Sequence, residues 1–229
     1  MAKSKTEVLR LTVPRRHILV AMLAVSVDPA RPLLGSICFR PANPAGARSG
    51  DVKGKLRTIA SNGHKLVSMI GGTWKGTWPT GGRDVVIPPT LFSRKRAKKL
   101  LDTTVTVQAL DDGSVTVFDN AADHQAVGCD VGSCFLRYPD VDGILKRYRR
   151  YAVARKAVGL NASYLEEMGR IGEVFQDHEF NRLHVTLRRR NLSPKGQPDE
   201  WAPVFDASAK SQLDTRTLDV LLMGLRAAA

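Results

Sequence analysis

Five histidines, three cysteines and two adjacent carboxylate pairs are the groups in this chain suited to proton transfer, nucleophilic attack or metal ligation. His17, His64, His124, His178 and His184 lack the HExxH spacing that puts two imidazoles on one helix face, and neither GxSxG nor GxxxxGK[ST] occurs. Asp111-Asp112 falls in an Asp-Asp-Gly turn and Glu166-Glu167 on a helix flank, without a nucleophile nearby in sequence. Cys38, Cys129 and Cys134 lack zinc-ligand spacing and read as small buried or half-buried thiols. No catalytic residue, cofactor or metal is therefore expected, and an enzyme whose site assembles from distant residues is the weakest alternative.

The chemistry that stands out is phosphate binding. Lys and Arg number 35 against 22 Asp and Glu, a net charge of +13 with a pI near 10.1, which points to a polyanionic partner. Arg94, Lys95, Arg96, Lys98 and Lys99 crowd one short segment with no acid between residues 93 and 99. On a helix, Arg94, Lys95, Lys98 and Lys99 gather on one face, opposite Phe92, Ala97 and Leu100. Surface helices usually mix signs for i,i+4 pairing; a purely cationic face suits a polynucleotide backbone, where affinity grows with each counterion released. A second basic stretch, Lys146-Arg147-Tyr148-Arg149-Arg150-Tyr151, has interleaved aromatics.

The elements that must position these residues recur. Residues 7–13 alternate as a strand, Pro14 suits a first helical turn, and Arg15 to about Ser26 reads as a helix with Ile18, Leu19, Met22 and Val25 on one stripe. Strands are expected at 33–40, 55–60 and 64–70. The same order, β-α-β-β-β, restarts at Asp84–Ile87, with a helix at about 90–101 and strands at 103–109, 114–118 and 124–131. It restarts near 153–159, with a helix at 161–175 striped by Tyr164, Met168, Ile171 and Phe175, and strands at 183–189, 202–208 and 217–226. The stretch Leu56–Val67 centres on Asn62-Gly63, whose tolerance of positive φ marks a tight hairpin. No apolar run is long enough to span a bilayer and the start lacks a signal-peptide core, so a cytoplasmic protein without a membrane partner is expected.

Ile59-Ala60-Ser61-Asn62-Gly63-His64-Lys65-Leu66 resembles the Ala-Thr-Asp-Gly-His-Arg-Leu signature in the middle domain of the bacterial sliding clamp, the beta subunit of DNA polymerase III. Further resemblances follow in that family's order. They are Val86-Ile87-Pro88-Pro89 before a helix, Tyr138-Pro139-Asp140 before Ile144-Leu145, Leu160–Leu165, and Leu221-Leu222-Met223-Gly224-Leu225-Arg226. The resemblance implies an α+β DNA-clamp fold of three β-α-β-β-β units with helices on one side of antiparallel sheets. Residues 1–145 would form one complete domain, 146–156 a basic connector and 157–229 half a domain.

It also implies a processivity factor that encircles or contacts duplex DNA through basic residues, namely Arg94, Lys95, Lys98, Lys99, Arg149 and Arg150. By position, a pocket for polymerase or repair-protein peptides carries over to Ser61, Gly63, His64, Lys65 and Leu66, joined by Pro139 and Ile144, then by Asn161, Tyr164, Leu222, Met223 and Leu225. A family ring holds roughly twelve units, so a homo-oligomer (tetramer, trimer or dimer) is implied. The pattern departs from the family in several places. The family's first domain has no counterpart, Gly224 replaces a proline, Gly143 stands where arginine is frequent, and the third helix carries Glu166, Arg170 and Glu173. The alternative is a clamp-derived peptide-binding adaptor or decoy that encircles nothing. If Arg94, Lys95 and Lys98 track phosphates, reversing them to Glu weakens duplex binding, and the log–log salt slope falls by about one for each phosphate no longer neutralised.

Overall fold

The computed structural model describes residues 5–43, 53–79, 81, 83–94, 101–119, 127–129, 133–149, 152–153, 162–175, 184–189, 203–210 and 217–223. Its elements are β1 (Glu7–Pro14), α1 (Arg15–Ala24), β2 (Ile37–Pro41), β3 (Lys53–Ser61), β4 (Lys65–Gly76), β5 (Asp84–Ile87), a 3-10 turn (Pro89–Leu91), β6 (Thr104–Leu110), β7 (Val115–Asp119), β8 (Val127–Cys129) and β9 (Phe135–Leu136). After them come α2 (Val141–Arg149), β10 (Ala152–Val153), α3 (Ala162–Phe175), β11 (His184–Arg189), β12 (Pro203–Lys210) and β13 (Thr217–Met223). No helix among the described residues is long and apolar enough to cross a membrane.

All the strands join in one curled antiparallel sheet of 13. Its organising strand is β4, which keeps β3 along one edge and changes partner along the other. From Lys65 to Ile70 that other edge pairs with β13, and from Thr73 to Gly76 it pairs with β1. The switch falls at Gly71-Gly72, where Gly72 has φ +79° and a Cβ would lie 2.3 Å from the Thr12 carbonyl oxygen. Only glycine lets the two backbones come that close. One arm of the sheet runs β4-β1-β6-β7-β8; the other runs β4-β13-β12-β11-β10.

Residues 84–87 of β5, 37–39 of β2, 58–60 of β3 and 66–69 of β4 are buried on both faces, which explains the apolar character of these stretches. Ile37, Phe39, Ala60, Val67, Val85 and Ile87 face the main core with α1, and with Met168, Ile171 and Val174 of α3. The alternate positions Cys38, Ile59, Leu66 and Val86 face a second, smaller core under Val141 and Leu145 of α2. The expectation of helices on one side is thereby corrected: α1 and α3 share one face of these strands, and α2 covers the opposite one.

Three further corrections concern boundaries. First, α1 is buried nearly all round: Arg15, Arg16, His17, Val20, Ala21 and Ala24 are buried beside Ile18 and Leu19, whereas Met22 and Val25 are only half-buried. Second, β2 begins at Ile37, because Leu33–Ser36 turns instead: Gly35 N–H donates to the Arg31 carbonyl at 3.0 Å and Ser36 Oγ to that of Pro32 at 3.0 Å. Third, the helix expected at about 90–101 does not begin at residue 90: residues 95–100 lie outside the described set, Leu101 is helical, and Pro89–Leu91 form a single 3-10 turn. Beyond it Ser93 is held from outside, its N–H by Asp119 Oδ2 at 3.1 Å and its carbonyl by Arg15 Nη2 at 3.1 Å. Arg15 and Asp119 also form a buried ion pair, so this cluster welds the start of α1, the end of β7 and the 89–94 segment.

Gly72→Ala is expected to destabilise the chain by at least about 2 kcal/mol, since a strained φ adds to the clash with Thr12. Gly81→Ala, at φ +77° with nothing within 4 Å of the added Cβ, should lose only about 1 kcal/mol. Urea unfolding of the two variants measures the difference.

Candidate functional site

The hairpin between β3 and β4 is locked by its own side chains. Asn62 Oδ1 accepts the N–H groups of His64 at 2.9 Å and Lys65 at 2.8 Å. Ser61 Oγ donates to the Lys65 carbonyl at 2.7 Å and accepts Gly63 N–H at 3.1 Å, and Gly63 has φ +91°. This is the Asx-stabilised tight turn that Asn-Gly favours. On the neighbouring edge β13 pairs in register, Leu221 opposite Leu66 and Leu222 opposite Lys65. Residues more than 150 apart in sequence thus become cross-strand neighbours.

The expected pocket residues fall on two sides of this junction. On the first side, Leu66 belongs to the second core, and half-buried Ile144, Leu33 and Leu34 pack at that core's margin. Pro139, just ahead of α2, is exposed, and its carbonyl accepts Val141 N–H at 2.9 Å. Asp140 caps α2 by accepting Gly143 N–H at 3.0 Å. A Cβ at Gly143 would sit 2.2 Å from that carboxylate, so glycine there suits the cap.

Charges hold α2 in place. Asp142 is ion-paired with Arg57 of β3 and lies 3.9 Å from Arg40 of β2; Arg40 pairs with Asp84 of β5 at 2.8 Å, and Arg57 Nε donates to Ser68 Oγ at 2.7 Å. Burial raises the Asp84 carboxyl, an effect that the Arg40 guanidinium opposes. Burial also pushes the Tyr138 phenol and Cys38 thiol upward, and the Cys134 thiol up to about 12. Both thiols are buried, the setting of structural cysteines. Among the described residues, no group of His, Cys, Asp and Glu is placed to hold a metal ion.

On the second side, His64 and Lys65 line a cleft of about 560 Å³. Its walls include Met22, Leu23 and Val25 at the end of α1, Asp28 and Arg31 on the following loop, and Glu167 and Arg170 of α3. Lys65 Nζ bridges to Glu167 at 3.0 Å, tying the hairpin to α3. Apolar walls flanked by both signs of charge suit an amphipathic segment.

Tyr164 falls on α3, and Leu222 and Met223 on β13, with side chains outside the described set. Asn161 and Leu225 lie outside the described residues altogether. Of the cations expected on DNA, Arg94 is exposed just past the 3-10 turn and Arg149 ends α2. Lys95, Lys98, Lys99 and Arg150 lie outside the described residues. The sequence reading missed Leu33, Leu34, Met22 and Arg31. The apolar pair after Pro32 was the available signal, but it was absorbed into an expected strand.

No protein-family model matches the chain, and no curated protein matches it. Among the solved structures similar to it are two DNA polymerase III beta subunits. One is the DnaN sliding clamp (DNA polymerase III subunit beta) from Bartonella birtlesii bound to griselimycin, at 15% identity and a TM-score of 0.38, covering 100% of this chain and 54% of that one. The other is DNA polymerase III subunit beta from Borrelia burgdorferi in complex with a natural product, at 13% identity and a TM-score of 0.38, covering 99% and 52%. The chain spans about half the length of these clamps.

Asp142→Ala leaves Arg57 and Arg40, both little exposed, without a shared carboxylate, and is expected to lower stability by about 2 kcal/mol. In a double-mutant cycle by urea unfolding, Arg57→Ala with Asp142→Ala should lose less than the sum of the single variants.

Proposed function

We propose that this chain is a shortened sliding clamp, a replication accessory factor that tethers polymerase or repair proteins to duplex DNA. The observation that carries the reading is the β4–β13 pairing. It sets Lys65 and Leu66 of the hairpin opposite Leu222 and Leu221, while Ile144 of α2 packs at the margin of the core that Leu66 enters. Apolar walls at Leu66, Ile144, Leu33 and Leu34 would take the apolar side chains of a short peptide, and His64, Lys65 and Gly63 on the hairpin would orient its backbone. Tyr164, Asn161, Met223 and Leu225 complete the pocket in this proposal. The chain would comprise three β-α-β-β-β units, residues 1–145 as a full domain, 146–156 as connector and 157–229 as half a domain. DNA contact through Arg94, Lys95, Lys98, Lys99, Arg149 and Arg150 would be to phosphates alone, leaving the protein free to slide in the cytoplasm. Copies would assemble through their sheet edges, which otherwise expose unpaired backbone groups.

A second reading has its own support. The exposed face of α3 carries Leu165, Glu166, Arg170 and Glu173, with Glu166 and Arg170 paired to each other, and such a mixed face is poor for phosphates. It fits an adaptor that binds clamp-motif peptides without encircling DNA. Mass in solution, measured with and without nicked circular duplex, separates the two. The clamp reading predicts an oligomer that stays on circular DNA and slides off when the circle is cut. A strictly monomeric chain released equally from both forms leaves only the adaptor. Under either reading, Ile144→Asp should weaken binding of an apolar clamp-motif peptide at least about tenfold, because it puts a charge on the apolar wall.

A further inference from the structure

The face of the β3-β4-β1-β6-β7 arm that turns away from α1 has an ordered composition. By strand register, one row across the five strands reads Lys53, Lys75, Arg10, Gln108, Thr116. The next row reads Lys55, Thr73, Thr12, Thr106, Phe118. All of these positions are exposed or half-exposed, whereas the intervening Leu9, Leu11, Val13, Trp74, Val105, Val107, Val115 and Val117 are buried. The rows hold four cations and no carboxylate. Glu7 reaches in from the start of β1 and takes only the Arg10 guanidinium, at 2.8 and 3.0 Å.

Lys53 stands directly opposite Lys75, with Arg10 next along the row. Like charges placed across a ladder destabilise a sheet, so the arrangement is at odds with stability alone and is relieved by an anion lying over the row. Neighbouring strands are about 4.8 Å apart, and each row is therefore about 19 Å long, room for a few nucleotides. From the cationic end the rows pass to threonine hydroxyls and a glutamine amide, which donate to phosphate oxygens, and then to Phe118, a ring 38% exposed on the open face.

We propose that this outer sheet face binds a single-stranded nucleic acid, with Lys53 and Lys75 on the phosphates and Phe118 stacked on a base. Cations and hydroxyls would also suit an acidic peptide; the exposed aromatic at the far end favours a base, and a base face is free only in a single strand. Recognition is sequence-independent. The surface lies on the opposite side of the sheet from α1 and from the cleft that His64 and Lys65 line, and the inference does not rest on a ring.

The test is fluorescence anisotropy of the full chain with a labelled oligothymidylate, a duplex of equal length, and polyglutamate as competitor. Lys53→Ala with Lys75→Ala should weaken oligothymidylate binding at least about tenfold at low salt and flatten the salt slope by about 1.4, at ~0.7 for each phosphate. Its urea midpoint should stay level or rise, because a repulsive pair is removed. Phe118→Ala should weaken the single strand about fivefold or more and leave the duplex unchanged. Full single-strand affinity in either variant overturns the proposal, as does polyglutamate competing as well as unlabelled oligothymidylate.

Discussion

Both edges of β4 are hydrogen-bonded, and one of them serves two different parts of the chain. Up to Ile70 that edge belongs to β13 and from Thr73 it belongs to β1, with the glycine pair between them. Everything distinctive about the fold depends on that exchange. It joins the last strand of the chain to the first hairpin, makes one sheet of 13 strands, and leaves the Asn62-Gly63 turn at the seam. Such long-range pairing is entropically expensive to form, and it is sustained by apolar side chains on both faces of the strands that meet there. Leu218 of β13 is fully buried in the main core next to α1 and α3, so the seam is packed as well as hydrogen-bonded.

The two cores divide the work. The main core binds α1 to the sheet so completely that even Arg15 is buried, a charge that Asp119 must neutralise. A buried pair of this kind is weak evidence for stability, because desolvation offsets most of the attraction. Its effect is positional: it fixes where α1 starts relative to β7 and ends the 3-10 turn. The second core is small, and it is supplemented by the Asp142, Arg57, Arg40 and Asp84 lattice. A helix of nine residues has little intrinsic stability, so α2 stands on Val141 and Leu145 below it, the Asp140 cap at its start and Asp142 at its flank. That arrangement places Ile144 at the margin of the second core.

Local chemistry was legible in the sequence wherever it acts over a few residues. The Asn62-Gly63 turn and the Asp84–Ile87 strand come out as read, because turn geometry and a short apolar run bounded by breakers are sufficient signals. The helix α2 was not legible. Ile144-Leu145 read as the end of a domain and residues 146–156 as a basic connector, whereas Val141–Arg149 forms a helix against the far face of β2, β3 and β4. Helices on one side of the sheet were what the resemblance implied, and α2 on the opposite face departs from it. Leu33-Leu34 reads as strand by propensity, yet its backbone is drawn into the turn that Gly35 and Ser36 close. Residues of the candidate pocket were named from the family resemblance alone, and their division between a core margin and a cleft beside α3 follows from β4 alternation, which sends Leu66 to one face and Lys65 to the other.

The claim that the β4–β13 seam is a peptide site is tested most directly by amide hydrogen exchange of the full chain with and without a saturating apolar clamp-motif peptide. Bound peptide should slow exchange together in residues 61–66, 139–145 and 217–223, and leave β6 at 104–110 unchanged. Protection absent from those three segments while the peptide is bound elsewhere would contradict it.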